Sequence, residues 1–164
     1  MQNDLYYVEN RKQCGIIHEK EILKMGNEEI RQQVQHSSII ILGGIGFSGL
    51  NQKFNASIIR FGKSFEELSK EEALQKDIME AKRFNAIYTK ILSALCQSRV
   101  IVMTHAKKED WNTEEHNPYW IYINGHNHHN FYEVSDSRTI YADNQIGYRT
   151  KNIGLKYFYC DNDY

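Results

Sequence analysis

The 164-residue sequence has a single proline and no serine- or glycine-rich stretch, so nothing in it reads as a linker between domains. Its length fits one domain able to bury a core of ordinary size. Cysteine is scarce: Cys14, Cys96 and Cys160 lie far apart and are odd in number. That excludes a disulfide framework, and without a Cys-x-x-Cys pair there is no zinc knuckle or redox motif. Reduced thiols serving as small packing residues are the expectation. No apolar run approaches the ~18 residues of a membrane span. Met1-Gln2-Asn3-Asp4 has neither the basic nor the apolar region of a secretion signal, so a cytoplasmic location is expected. An excess of one charge is also missing. With a formal net charge of −1, bulk electrostatics favours neither nucleic acid nor an anionic membrane, and a polyanionic DNA mimic is excluded.

What is present is a globular composition, 41% hydrophobic and 25% charged, rich in Ile, Asn, Lys and Tyr as in an AT-rich genome. Leu5-Tyr6-Tyr7-Val8 reads as a short strand. Lys20 to Gln35 carries apolar residues at helical spacing, broken at Gly26-Asn27, and predicts two short helices. The continuous run Ser38-Ile39-Ile40-Ile41-Leu42 predicts a strand buried on both faces. Ser69 and Glu72 make a capping box. After it Leu74, Ile78, Ala81, Phe84, Tyr88, Ile91 and Leu95 recur at steps of three and four, an amphipathic helix of about seven turns with Lys76, Glu80, Arg83 and Lys90 on a solvated face. Val100 to Met103 reads as a buried strand. Trp120 to Ile123, Phe131 to Val134, Thr139 to Tyr141 and Ile153 to Tyr159 read as further strands between turn residues. The fold class expected is α/β, a mixed layered sheet packed with helices.

Gly44-Ile45-Gly46-Phe47-Ser48-Gly49 has the spacing of a dinucleotide-binding fingerprint. A true fingerprint opens directly into an apolar helix, whereas Leu50 to Asn55 carries loop-forming asparagines, and no Gly-Lys-Ser/Thr follows to make a phosphate loop. A tight strand-exit turn lining a site fits better.

The chemistry concentrates in the histidines. Met103-Thr104-His105 ends one buried strand, and Asn124-Gly125-His126-Asn127-His128-His129-Asn130 follows another. Imidazole is the commonest transition-metal ligand, and loops leaving strand ends are where rigid scaffolds hold ligands. A His-x-His pair in an extended segment points its rings to opposite faces, but in a turn after Gly125 both can converge. The surrounding asparagines offer amides to the outer ring nitrogens. His129, His116, His18 and His36 are each expected to be ordinary exposed or turn residues. His105, His126 and His128 together predict a site for one metal ion. Zinc suits nitrogen ligands, with manganese as the alternative, and Asp143, His116 or water completes the shell.

A strand ending in Thr104-His105, then Gly125-His126-Asn127-His128 after a second strand, resembles the last two metal motifs of calcineurin-like metallophosphoesterases. The likeness continues through Ile41-Leu42-Gly43-Gly44-Ile45-Gly46-Phe47-Ser48-Gly49, Phe54-Asn55-Ala56, His105 with Trp111, Trp120 to His126, and Tyr141-Ala142-Asp143-Asn144-Gln145-Ile146-Gly147-Tyr148, roughly residues 1 to 160. The resemblance implies half of an αββα sandwich, with the positions of His105 and His126 holding one metal and that of His128 the other. The family's Asp-x-His, its Gly-Asp whose carboxylate bridges two metals, and its Gly-Asn-His-Asp/Glu do not occur. The nearest string, Gly26-Asn27-Glu28-Glu29, lacks the histidine, and the missing motifs would lie upstream of Met1. Two cations about 3.5–4 Å apart require bridging anions, so a two-metal centre is not expected from this sequence alone.

Half a sandwich leaves sheet edges and apolar faces to be covered, by a protein partner or a homodimer. Eleven tyrosines and two tryptophans suit such contacts. A stand-alone remnant of this kind is similar to phage-encoded zinc-binding inhibitors of type II CRISPR effector nucleases. That likeness implies a non-catalytic protein that binds an RNA-guided CRISPR nuclease and blocks DNA loading. The alternative it leaves is a metal-dependent phosphoesterase completed by a partner chain.

Overall fold

Local signals set most element boundaries in a computed structural model of the chain, which describes residues 3–9, 13–46, 60–61, 66–67, 69–124, 130–134 and 140–144. The elements run β1 (Leu5–Glu9), β2 (Gln13–Ile17), α1 (Glu19–Ile22), α2 (Asn27–Val34), β3 (Ser37–Gly44), β4 (Arg60–Phe61), β5 (Glu66–Glu67), α3 (Lys70–Leu95), β6 (Ile101–Thr104), α4 (Lys108–Trp111), β7 (Ile121–Asn124), β8 (Asn130–Val134) and β9 (Ile140–Asn144). The capping box closes as expected. Glu72 N–H donates to Ser69 Oγ at 3.3 Å and Ser69 N–H to the Glu72 carboxylate at 2.9 Å, after which α3 continues for 26 residues. Gly26 does break the first helical stretch in two. Its N–H donates to the Glu29 carboxylate at 2.5 Å, so Gly26-Asn27-Glu28-Glu29 is the capped start of α2.

Seven strands form one mixed sheet in the order β2-β1-β3-β6-β7-β9-β8. β3, β6, β7 and β9 are parallel neighbours, flanked by the antiparallel β1–β2 pair on one side and antiparallel β8 on the other. β4 and β5 pair separately as a short ribbon. The α/β class expected from the sequence is therefore the one observed. The main core lies between α3 and one face of the sheet: Leu5, Ile40, Leu42, Val102 and Tyr122 from the strands meet Ala81, Phe84, Ile87, Tyr88 and Ile91 from the helix. Trp111 stands edge-on to Phe84 (4.7 Å between ring centres) and Tyr88 (5.1 Å), and Tyr88 stands edge-on to Trp120 (5.5 Å).

Three expectations need correction. β3 is not buried on both faces. Ile40, Leu42 and Gly44 are buried while Ile39 is 37% exposed, and in β6 Met103 is 46% exposed. Residues alternate across a strand, and α3 covers only one side of it. On the opposite side Ile101 and Ile121 are buried together with Ile41 and Ile123 packed beside them, but Tyr6 and Ile16 are exposed. Arg83 is not simply solvated: it donates from Nε and Nη2 to the two oxygens of the buried Glu19 carboxylate, a bidentate pair tying α3 to α1. Cys14 and Cys96 are free and exposed, not packing residues, because one sits on the edge strand and the other caps α3. Cys160 and the strand expected over Ile153 to Tyr159 lie outside the described residues. No helix among the described residues is long and apolar enough to cross a membrane.

Candidate metal centre

The register of the parallel block brings its strand ends into one row. Gly44 of β3 pairs with Thr104 of β6, Thr104 with Asn124 of β7, and Asn124 with Asp143 of β9. His105 follows Thr104 directly, Gly125-His126 follows Asn124, and Asp143 is itself in the row. In sheets of this type ligands bind beyond the carboxyl ends of parallel strands, because the loops leaving them converge there. His126 and His128 lie outside the described residues, as does the side chain of Asp143. The backbone thus aligns three of the strand-end positions singled out from the sequence, while the placement of the second and third histidines is not described. Among the described residues no three His, Cys, Asp or Glu side chains gather closely enough to share an ion.

His105 is exposed at this rim, and its backbone is held by the glycine turn after β3. The Ile45 carbonyl accepts from both His105 N–H (2.9 Å) and Ala106 N–H (3.0 Å). The fingerprint-like glycines have packing reasons. A Cβ on Gly44 would stand 2.4 Å from the Phe84 ring, and one on Gly46 would stand 2.6 Å from the Trp111 indole nitrogen. Gly46 also adopts φ +56°, a left-handed conformation that suits glycine. Residues 44–46 thus stand at the strand ends, where Ile45 presents the carbonyl that holds the His105 backbone, while Phe47, Ser48 and Gly49 of the predicted site-lining turn lie outside the described residues.

One side chain of the strand-end row carries an unsatisfied polar atom. Asn124 Oδ1 is buried with no hydrogen-bond partner. Leaving such an acceptor unsatisfied costs about 1–3 kcal/mol. Thr104 does not supply a donor, since its hydroxyl donates to the Ala106 carbonyl at 2.7 Å.

The loop after His105 is tied down by buried polar groups. Lys108 Nζ donates to Asn112 Oδ1 at 2.6 Å and to the Glu114 carbonyl, and stands 5.8 Å above the Tyr88 ring. Burial pulls its pKa down, with Glu109 and Glu114 opposing. Asn112 Nδ2 donates to Asn85 Oδ1 of α3 at 2.6 Å, and the Tyr88 and Tyr122 hydroxyls are 2.9 Å apart. Burial raises the Tyr88 pKa, with Tyr122 adding to the effect. His116, one of the ligands considered for the open position, lies edge-on to Tyr122 at 4.6 Å between ring centres and 3.5 Å from Glu109.

His116 carries a pH dependence. Burial, with Lys108 nearby, holds its imidazole down at about 4 against the ordinary 6.5, and Glu109 opposes this. The unfolded chain takes up the proton near the ordinary value and the folded chain only near the lowered one. The contribution to stability is therefore complete above pH 6.5 and lost as pH falls towards 4. Urea unfolding across that window should show stability falling more steeply in the wild-type chain than in His116→Asn. Parallel profiles for the two would remove this role from His116.

A second polar cluster at the same end of the sheet was not visible in the sequence. Asp4 precedes β1, and its main-chain carbonyl accepts from Gly43 N–H at 3.1 Å. Its carboxylate accepts from Glu19 N–H at 3.1 Å and lies 3.4 Å from His18 Nδ1. Asn3 Nδ2 donates to Glu19 at 3.2 Å, joining the Glu19–Arg83 pair. These partners are up to 64 residues apart; the antiparallel placement of β1 beside β3 and the contact of α1 with α3 bring them together. A separate cleft is lined by Ile16, Ile17, Glu21, Lys24, Met25, Glu29 and Gln33. Among the described residues its lining includes no histidine and none of the strand-end row.

No protein-family model, curated protein or solved structure matches this chain.

Proposed function

We propose that this chain is a non-catalytic metal-binding protein. One zinc ion, with manganese as the alternative, is held by His105, His126 and His128 at the end of the parallel strands, with Asp143 beside them. The single observation that supports this site is the row Thr104–Asn124–Asp143, which sets the starting points of the histidine-bearing loops on adjacent strands. Zinc would supply a rigid crosslink between these loops, and the imidazoles need only be neutral to hold it. The sequence in hand offers no bridging aspartate for a second cation, and this favours binding over turnover.

The proposed action is inhibition by protein contact. The partner is an RNA-guided nuclease of the type II CRISPR class, engaged so that DNA loading or a conformational step is blocked. This follows from the likeness to the C-terminal half of calcineurin-like metallophosphoesterases and to small zinc-binding inhibitors of such nucleases. The net charge of −1 agrees with contact to a protein surface, because imitation of DNA phosphates needs a far more acidic chain. Tyr6, Ile16 and Ile39, exposed on the sheet face away from α3, offer an apolar contact area.

The strand-end position itself favours a second reading, a metal-dependent phosphoesterase completed by a chain carrying the absent carboxylate motifs. One experiment separates the two. The metal-loaded protein is added to a guide-loaded type II effector in a DNA cleavage assay, and in parallel to a phosphodiester substrate with Mn²⁺ or Zn²⁺. Inhibition of cleavage without phosphodiester turnover supports the binder. Turnover abolished by His126→Ala supports the enzyme, and neither result with a folded, metal-loaded chain rules out both.

A further inference from the structure

We propose that β2 is a self-pairing edge: two copies of this chain join antiparallel through β2, about a two-fold axis at Gly15, and continue the sheet from one copy into the other. β2 ends the seven-strand order, and among the described residues only β1 pairs with it. The hydrogen-bond phase of β1 fixes which groups of β2 point outward. Gly43 N–H donates to the Asp4 carbonyl at 3.1 Å, and these two residues stand opposite each other, one step beyond the Leu5–Leu42 pair. Backbone groups alternate sides along a strand. Asp4, Tyr6 and Val8 therefore turn theirs towards β3, and Leu5, Tyr7 and Glu9 turn theirs towards β2. Ser38 of β3, whose Oγ donates to the Val8 carbonyl at 3.1 Å, agrees with this phase. The partners of Leu5, Tyr7 and Glu9 are Ile17, Gly15 and Gln13. Cys14 and Ile16 are left aiming an N–H and a carbonyl each away from the sheet. Gln13, Cys14 and Ile16 are exposed, Ile16 by 49%, so the fold of one chain leaves this edge uncovered.

A second copy fits this edge for three reasons. The strand Gln13-Cys14-Gly15-Ile16-Ile17 has neither charge nor proline, the usual guards of an exposed edge, so contact with itself meets no like-charge repulsion. With the axis at Gly15, Cys14 of each copy lies opposite Ile16 of the other, and this one register satisfies every outward group of both residues. The closest approach of an antiparallel pair, about 4.5 Å between Cα atoms, then falls on Gly15, the one residue of β2 without a side chain. Pairing also joins the exposed Ile16 and Tyr6 of both copies into one apolar strip on the face away from α3. The contact uses none of the residues assigned to the metal, so its failure leaves that reading untouched.

Sedimentation equilibrium of the full chain over a concentration series, under reducing conditions, is the test. A reversible equilibrium between monomer and dimer is expected, and a monomer at every concentration would overturn the proposal. In Ile16→Pro the N–H that is lost is an outward one, while the bonds to β1 remain, a change that edge strands tolerate. Two hydrogen bonds disappear from each dimer, so dimerisation should weaken by about tenfold or more with the circular dichroism unchanged. Dimerisation at wild-type strength in this variant would place the interface elsewhere and overturn the proposal. Should Ile16→Pro fail to fold, Ile16→Cys in a chain carrying Cys96→Ser and Cys160→Ser decides the matter. Opposed hydrogen-bonded residues stand about 5.5 Å apart between Cα atoms, within reach of a disulfide. Oxidised glutathione should then yield a covalent dimer in which Cys14 of each copy is bonded to the introduced cysteine of the other, as peptide mass spectrometry reads. Monomer alone, or a dimer linked in any other way, would overturn the pairing.

Discussion

Trp111→Ala is expected to cost about 3–5 kcal/mol, the range for removing a fully buried large aromatic from a core. In a chain of 164 residues that corresponds to a melting temperature lower by about 6–20 °C. The side chain has no exposed surface and stands edge-on to both Phe84 and Tyr88 of α3. Its indole N–H donates to the Ala106 carbonyl at 3.3 Å, the same carbonyl that accepts from Thr104. The ring also presses against the Gly46 turn, whose preceding carbonyl receives His105 N–H. Truncation therefore opens a cavity in the aromatic cluster and loosens the loop that presents His105. Urea unfolding followed by circular dichroism measures the first effect, and metal affinity of the variant measures the second. Trp111→Phe keeps most of the ring contacts and should recover most of the stability. A loss below about 1 kcal/mol in Trp111→Ala would mean that the surroundings collapse onto the gap and that Trp111 does not hold this loop.

Much of this fold is legible in the sequence because its signals are local. The β-branched runs at Ile39–Ile41 and Val100–Val102, the Ser69–Glu72 capping box and the break at Gly26 all act within a few residues, and each marks an observed element. The strand-end position of His105 is legible for the same reason. What is not legible depends on packing between distant segments. An unbroken apolar run such as Ile39–Leu42 does not say that α3 covers one face only, so the exposure of Ile39 has no counterpart in the pattern. Arg83 takes its place on a helical polar face by periodicity, yet its partner Glu19 is 64 residues away. Gly44 and Gly46 imitate a nucleotide fingerprint through their spacing, while their cause is the proximity of Phe84 and Trp111. Asn124 is one of several asparagines around the histidines. Only its register between Thr104 and Asp143, with an unsatisfied oxygen, separates it from the rest.

His126→Ala and His128→Ala should each abolish stoichiometric zinc and, with it, the stabilisation that zinc gives. A ligand that binds only the folded chain contributes about 2.7 kcal/mol at a concentration one hundred times its dissociation constant. For a domain of this size that is about 5–11 °C in melting temperature. Zinc should therefore raise the melting temperature of the wild-type chain by this amount and leave the two variants unmoved. Their apo forms should melt close to the apo wild type if the two histidines act through the ion alone. This comparison assigns the loss to ligation and not to a damaged fold. Elemental analysis of tag-free protein gives the second readout: about one zinc per chain in wild type and little in either variant, as expected when one of a few first-shell ligands is removed. His105→Ala, on the third strand-end loop, should behave the same way if a single ion joins all three. Zinc retained at wild-type stoichiometry in His126→Ala would place the ion elsewhere in the chain. It would leave the row at Thr104, Asn124 and Asp143 as a feature of sheet register alone.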